Sequence, residues 1–144
     1  MNEDFVSFSL AKKLKEKGFK QKCLAYYDVE DNVGLLYNTQ YSDEALPCQY
    51  TDLLQCHNTG EAETQSDDSE NCVDAPTISQ VLKWLREAKN LCVEVLISVR
   101  GGWYNIIYEI APRRGFDLKH MLIEEKSYEA AALAGIEYCL DNLI

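Results

Sequence analysis

From Asp43 to Asp74 the chain has no lysine and no arginine. Nine acids stand there (Asp43, Glu44, Asp52, Glu61, Glu63, Asp67, Asp68, Glu70, Asp74), so this one stretch supplies nearly all of the formal net charge of −10. The flanking sequence is close to neutral, and a general affinity of the whole protein for cations or basic partners does not follow. Histidine is scarce at 2 residues and proline at 3. None of the serines lies in a nucleophile-elbow motif. None of the 7 glycines falls in a phosphate-binding pattern. No apolar run approaches the roughly 18–20 residues of a membrane span. Met1-Asn2-Glu3-Asp4 is acidic where a secretory leader would be basic and then apolar, which sets the expectation of a cytoplasmic protein. No cysteine pair has zinc-knuckle spacing, and without a secretory leader disulfides are not expected.

Length and composition fit one domain. The chain has 144 residues, 47% hydrophobic and 26% charged, enough to build a core of its own. The expectation is a single domain over 1–144 with an acidic insertion at about 43–74. Thr59 to Ser69 is almost wholly polar and has too little apolar surface to offset the entropy of ordering it.

Around that insertion the local signals are strong. Ser7 reads as an N-cap, with Phe8, Ala11 and Leu14 on one face of the following helix. Gly18 then stops it, and Phe19 folds back on the last turn. Cys23 to Tyr27 reads as a strand, Asp31-Asn32-Val33-Gly34 as a turn and Leu35-Leu36-Tyr37 as the return strand. Thr77 and Gln80 form a capping box. Ile78, Val81, Leu82, Leu85 and Ala88 make the apolar face behind it, with Trp84 beside that stripe and the helix ending near Asn90. Ser127 caps a last helix with Glu129 in its first turn and Ala132, Ile136, Cys139, Leu140 and Leu143 along one side.

Residues 92–110 read as a hairpin. Val93, Val95, Ile97 and Val99 alternate with other residues, as do Tyr104, Ile106, Tyr108 and Ile110, and Gly101-Gly102 reads as a two-residue turn. That turn pairs Arg100 with Trp103, Ile97 with Ile106 and Val93 with Ile110, and puts both apolar rows on one face. Pro112 to Lys126 reads as a mixed connection. The order is α-ββ-loop-α-ββ-α, an α+β two-layer domain with an antiparallel sheet built from two hairpins and three helices.

Three blocks carry a resemblance. They are Phe8 to Phe19 with Ala11-Lys12-Lys13-Leu14 and Gly18; Ala75 to Gln80 with Trp84-Leu85-Arg86-Glu87; and Ser127 to Ala131 with Ile136-Glu137. Their order and spacing resemble a set of small uncharacterised proteins carried by phage-like and other mobile elements of Bacteroides-type gut bacteria. The resemblance covers the three helices. It implies a cytoplasmic, mobile-element setting and no particular activity, and the acidic stretch is longer here than the pattern requires.

The candidate functional residues fall into three groups. On the outer face of the hairpin, Arg100 and Trp103 are expected as cross-strand neighbours, with Asn105 nearby and Leu96 opposite Ile107, an interaction surface of the Trp-and-Arg kind. Lys12, Lys13 and Lys15 on the first helix form a basic face that could touch phosphates, although the overall charge argues against nucleic acid. Cys48, Cys56, His57 and Cys72 could make a tetrahedral zinc site, against which stand irregular spacings and the poor chelate geometry of adjacent Cys-His. No catalytic residue and no cofactor is assigned. The expected function is that of a small non-catalytic accessory protein that binds a protein partner or a second copy of itself, without membrane contact. The alternatives are a nucleic-acid-associated factor and a zinc-stabilised module.

Overall fold

Ser7 accepts a hydrogen bond from the Leu10 amide at 3.3 Å and starts α1, Phe8–Glu16. Gly18 ends the turn with φ +90°, a conformation that costs glycine nothing, and the Phe19 amide returns to the Leu14 carbonyl at 2.9 Å. Leu10, Ala11, Leu14 and Phe19 are all buried. The computed structural model describes residues 4–28, 35–37, 72–111, 115–121 and 124–144.

These residues cluster as two compact units, Phe5–Pro76 and Met1–Asp4 with Thr77–Ile144. The first holds α1 and a three-stranded antiparallel sheet of β1 (Ala25–Asp28), β2 (Leu36–Tyr37) and β3 (Cys72–Ala75), in the order β2-β1-β3. The expected hairpin of β1 and β2 forms, and its turn lies outside the described residues. β3 corrects the insertion's C-terminal boundary: Cys72, Val73 and Asp74 are buried in a strand paired with β1. Residues 43–71 lie outside the described residues. Tyr27 donates to the Val6 carbonyl at 2.7 Å and meets the Phe8 ring edge-on at 5.5 Å.

In the second unit Thr77 and Gln80 exchange both capping-box bonds, at 3.0 and 3.2 Å, to start α2, Ile78–Lys89. Replacing Thr77 with Ala is expected to cost about 1 kcal/mol, read as a lowered urea midpoint with unchanged slope. Asn90 closes the helix in the left-handed conformation, φ 55°. Trp84 is buried and Ala88 exposed, the reverse of the expected stripe, so the buried arc is centred nearer Val81 and Leu85. Then follow β4 (Leu91–Ile97), β5 (Trp103–Ala111), β6 (Gly115–Met121) and α3 (Tyr128–Tyr138), which widens into a π-helical turn at Cys139–Leu143. Ser127 caps α3 as expected, accepting from the Ala130 amide at 3.1 Å.

The strands form an antiparallel sheet of order β4-β5-β6. The structure is thus α+β with helices packed on sheets, as expected; the two hairpins seed two sheets, and each sheet has a third strand. β6 lies in the stretch expected to be a connection. Its alternation is short and is interrupted by a bulge, since Ile107 pairs with His120 and Tyr108 with Leu118, leaving Lys119 over.

The β4–β5 register differs from the expected one. Ile97 pairs with Trp103, Val95 with Asn105 and Val93 with Ile107. The loop has three residues: the Ser98 amide donates to the Gly102 carbonyl at 2.6 Å and the Gly101 amide to the Ser98 carbonyl at 2.9 Å. Only Gly101 of the glycine pair has positive φ, +92°, the signature of a tight turn followed by a left-handed bulge residue. The slip from the expected register is odd, so the two rows expected on one face lie on opposite faces.

One face of this sheet carries Leu91, Val93, Asn105 and Ile107, all buried. Both α2 and α3 pack on β4 and on each other, which places them on this same side. α3 comes especially near: a Cβ built on Gly135 would lie 2.6 Å from Val93 Cγ1 and 3.3 Å from Asn105 Cγ.

Candidate functional site: the hairpin tip

The β4–β5 hairpin is longer than the helices that cover it. Val93 and Ile107 are buried beside α3, whereas Ile97, on the same face nearer the loop, is 62% exposed. Val99, inside the loop, is fully exposed and Leu96 is exposed on the opposite face. Large aliphatic side chains are rarely left this open at a loop apex, and three together make an apolar prominence. Arg100 is exposed beside Val99 and supplies the only charge in the loop.

The prominence is held from beneath. Trp103 meets the Tyr128 ring edge-on at 5.9 Å, an arrangement that favours the ring quadrupoles. Trp103 and Glu125 exchange backbone bonds at 2.9 and 2.5 Å, an isolated bridge that ties the start of α3 to the sheet. Ser98 donates to Glu124 Oε1 at 3.0 Å and accepts from the Arg100 amide at 3.0 Å. The apex is therefore braced on both sides of the turn.

The expected surface of Arg100, Trp103, Asn105, Leu96 and Ile107 is divided by this geometry. Arg100 and Trp103 are not cross-strand partners, although both belong to the tip. Asn105 and Ile107 are fully buried against α3 and cannot touch a partner. Asn105 donates to the Ala131 carbonyl at 2.8 Å, while its buried Oδ1 has no hydrogen-bond partner among the described residues. The expectation failed because a polar residue in an alternating strand reads as outward; here one side-chain hydrogen bond to a helix carbonyl carries it inward. Ile97, Val99 and Tyr128 were not among the expected surface residues. Ile97 and Val99 carried the apolar signal of a core row, and the three-residue loop moves that row past the end of the core.

The basic helix is also divided. Lys12 is exposed, with its ammonium 5.5 Å from the Phe8 ring centre. Lys15 donates to the Cys72 carbonyl at 3.1 Å and ties α1 to β3, and Lys13 is half-buried. Of the zinc candidates, Cys72 lies in a strand and not in a polar loop, while Cys48, Cys56 and His57 lie outside the described residues. Among the described residues no three His, Cys, Asp or Glu side chains are grouped as a metal site. Elsewhere, Glu109 accepts from Lys119 at 2.8 Å and holds its ammonium pKa above the ordinary value, by the hydrogen bond first and then by charge. No described helix is long and apolar enough to cross a membrane. The chain matches no family model, no curated protein and no solved structure.

Proposed function

We propose that this chain is a small non-catalytic accessory protein that works by docking the β4–β5 tip onto a protein partner, in the cytoplasm and in the service of a mobile element. The observation that carries the docking is the braced apolar apex. Ile97 and Val99 stand in solvent while Trp103 and Tyr128 fix their base. Rigid presentation lowers the ordering cost of association, so such an apex binds more tightly than a flexible loop of the same composition. Arg100 adds one directional charge at the rim.

The experiment is capture from a host-type lysate with the intact chain and with Val99→Asp side by side. Val99 touches little, so the variant is expected to melt with the parent, within about 0.5 kcal/mol. A protein held by the parent is expected to be lost by the variant. Equal retention by both would remove the tip from the function.

A further inference from the structure

We infer that Asn105 selects the register of β4 against β5 and thereby decides whether the exposed apex exists. Only the use of the apex for docking rests on the function proposed above; the register does not. Two registers are within reach of this hairpin. In the structure Val93 faces Ile107, Val95 faces Asn105 and Ile97 faces Trp103, closed by the three-residue loop. A two-residue turn at Gly101-Gly102 would instead set Val93 against Ile110, Val95 against Tyr108, Ile97 against Ile106 and Val99 against Tyr104. β4 keeps Leu91 and Val93 inward in both, since turning it over would bury the exposed Glu94. The slip is odd, so it is β5 that turns over.

By apolar pattern alone the second register is the better one. The inward row of β5 now holds Asn105 and Glu109, while Tyr104, Ile106, Tyr108 and Ile110 face outward without a charge among them. The observed register also leaves Ile97 and Val99 in solvent and buries Asn105 Oδ1 without a hydrogen-bond partner among the described residues. Two features of α3 stand against these costs. The Asn105 amide donates to the Ala131 carbonyl and ties the helix to the sheet. Gly135 seats the helix so close to Val93 and Asn105 that a tyrosine has no room where Asn105 now lies. The two act together: the bond holds the helix down, and the helix, once down, excludes Tyr108. Fixing register is the best-attested use of a single buried asparagine. Without the bond α3 lifts, β5 turns over and residue 105 goes to water. Ile97 and Val99 then gain Ile106 and Tyr104 as cross-strand neighbours, and the apex is withdrawn.

Nuclear Overhauser contacts between Hα atoms of the full chain read the register directly. Ser98 and Gly102 are a hydrogen-bonded pair, so Val93–Ile107, Val95–Asn105 and Ile97–Trp103 are the close pairs in which Hα atoms meet. The parent is expected to show these contacts and none of the second register. Asn105→Asp keeps the shape, removes the donor and sets a carboxylate against the Ala131 carbonyl, which an outward residue 105 avoids. It is expected to show Val95–Tyr108, Ile97–Ile106 and Val99–Tyr104 contacts in about half of the molecules or more. Asn105→Ala drops the donor without adding charge, and is expected to show them in about a tenth or more. Either variant folded with the parent contacts alone overturns the inference. So does failure of both to fold, because a second register would shelter them. If the contacts shift as expected while the parent and Val99→Asp capture the same proteins, the docking reading alone falls.

Discussion

Replacing Gly135 with Ala will lower the stability of this protein by about 1–2 kcal/mol, although alanine is the better helix former. The added methyl would stand 2.6 Å from Val93 Cγ1, well inside van der Waals contact. Val93 is β-branched and lies in a strand, so its rotamers are few and it cannot step aside. Overpacking of this kind costs about 1–3 kcal/mol and occasionally more. Gly-to-Ala in a helix interior returns about 1 kcal/mol, which leaves the balance unfavourable because α3 itself must lift from the sheet. Asn105 is 3.3 Å from the same methyl, so the lift also stretches its bond to the Ala131 carbonyl. A drop in melting temperature of roughly 3–8 °C is expected. The double variant with Val93→Ala should recover part of it, giving a coupling above about 1 kcal/mol. A single variant that melts with the parent would show that the helix does not sit this close.

The second large effect is on alkaline stability. Cys139 is buried under the end of α3, and that burial pushes its thiol from 9.0 up to about 12. The folded chain therefore favours the neutral thiol, while the unfolded chain ionises near 9. The sign follows: the contribution is fully present below pH 9 and is lost as pH rises from there toward 12. At about 1.4 kcal/mol per unit, some 3 kcal/mol has gone by about pH 11. The measurement is the difference between two curves, in which every group that the two proteins share cancels. The stability of the parent in urea unfolding should fall relative to Cys139→Ala above pH 9, so that any advantage it holds at neutral pH shrinks and reverses by about pH 11. Parallel curves across that range would refute the assignment. Cys139 should also resist alkylation in the native protein at pH 8.

The elements that could be read from sequence are those fixed by chemistry within one turn of chain. Ser7, Thr77 and Ser127 all cap helices through their own hydroxyls, and Gly18 ends α1 with the backbone only glycine takes freely. The α+β class followed from these plus two alternating runs. The register of β4 with β5 did not. Gly101-Gly102 satisfies a two-residue turn and a three-residue loop equally well locally. What decides between them is Asn105 finding the Ala131 carbonyl, a partner 26 residues away. β3 was hidden by the polar residues before it, and only four residues, Cys72–Ala75, form it. The tip was half legible: Trp103 and Arg100 stand out by residue type, whereas Val99 is set apart only by the loop that leaves it in solvent.

The bulge at Lys119 has a bearing on how many molecules can join. A regular, uncharged edge strand is a template that recruits copies without limit, toward fibres. Here one edge of the sheet carries the exposed Glu94, and the other is broken by the extra Lys119, whose ammonium is drawn aside by Glu109. Growth by adding strands is obstructed at both ends. A sheet so guarded can carry a run of β-branched and aromatic residues without offering a neighbouring molecule a free ladder to extend.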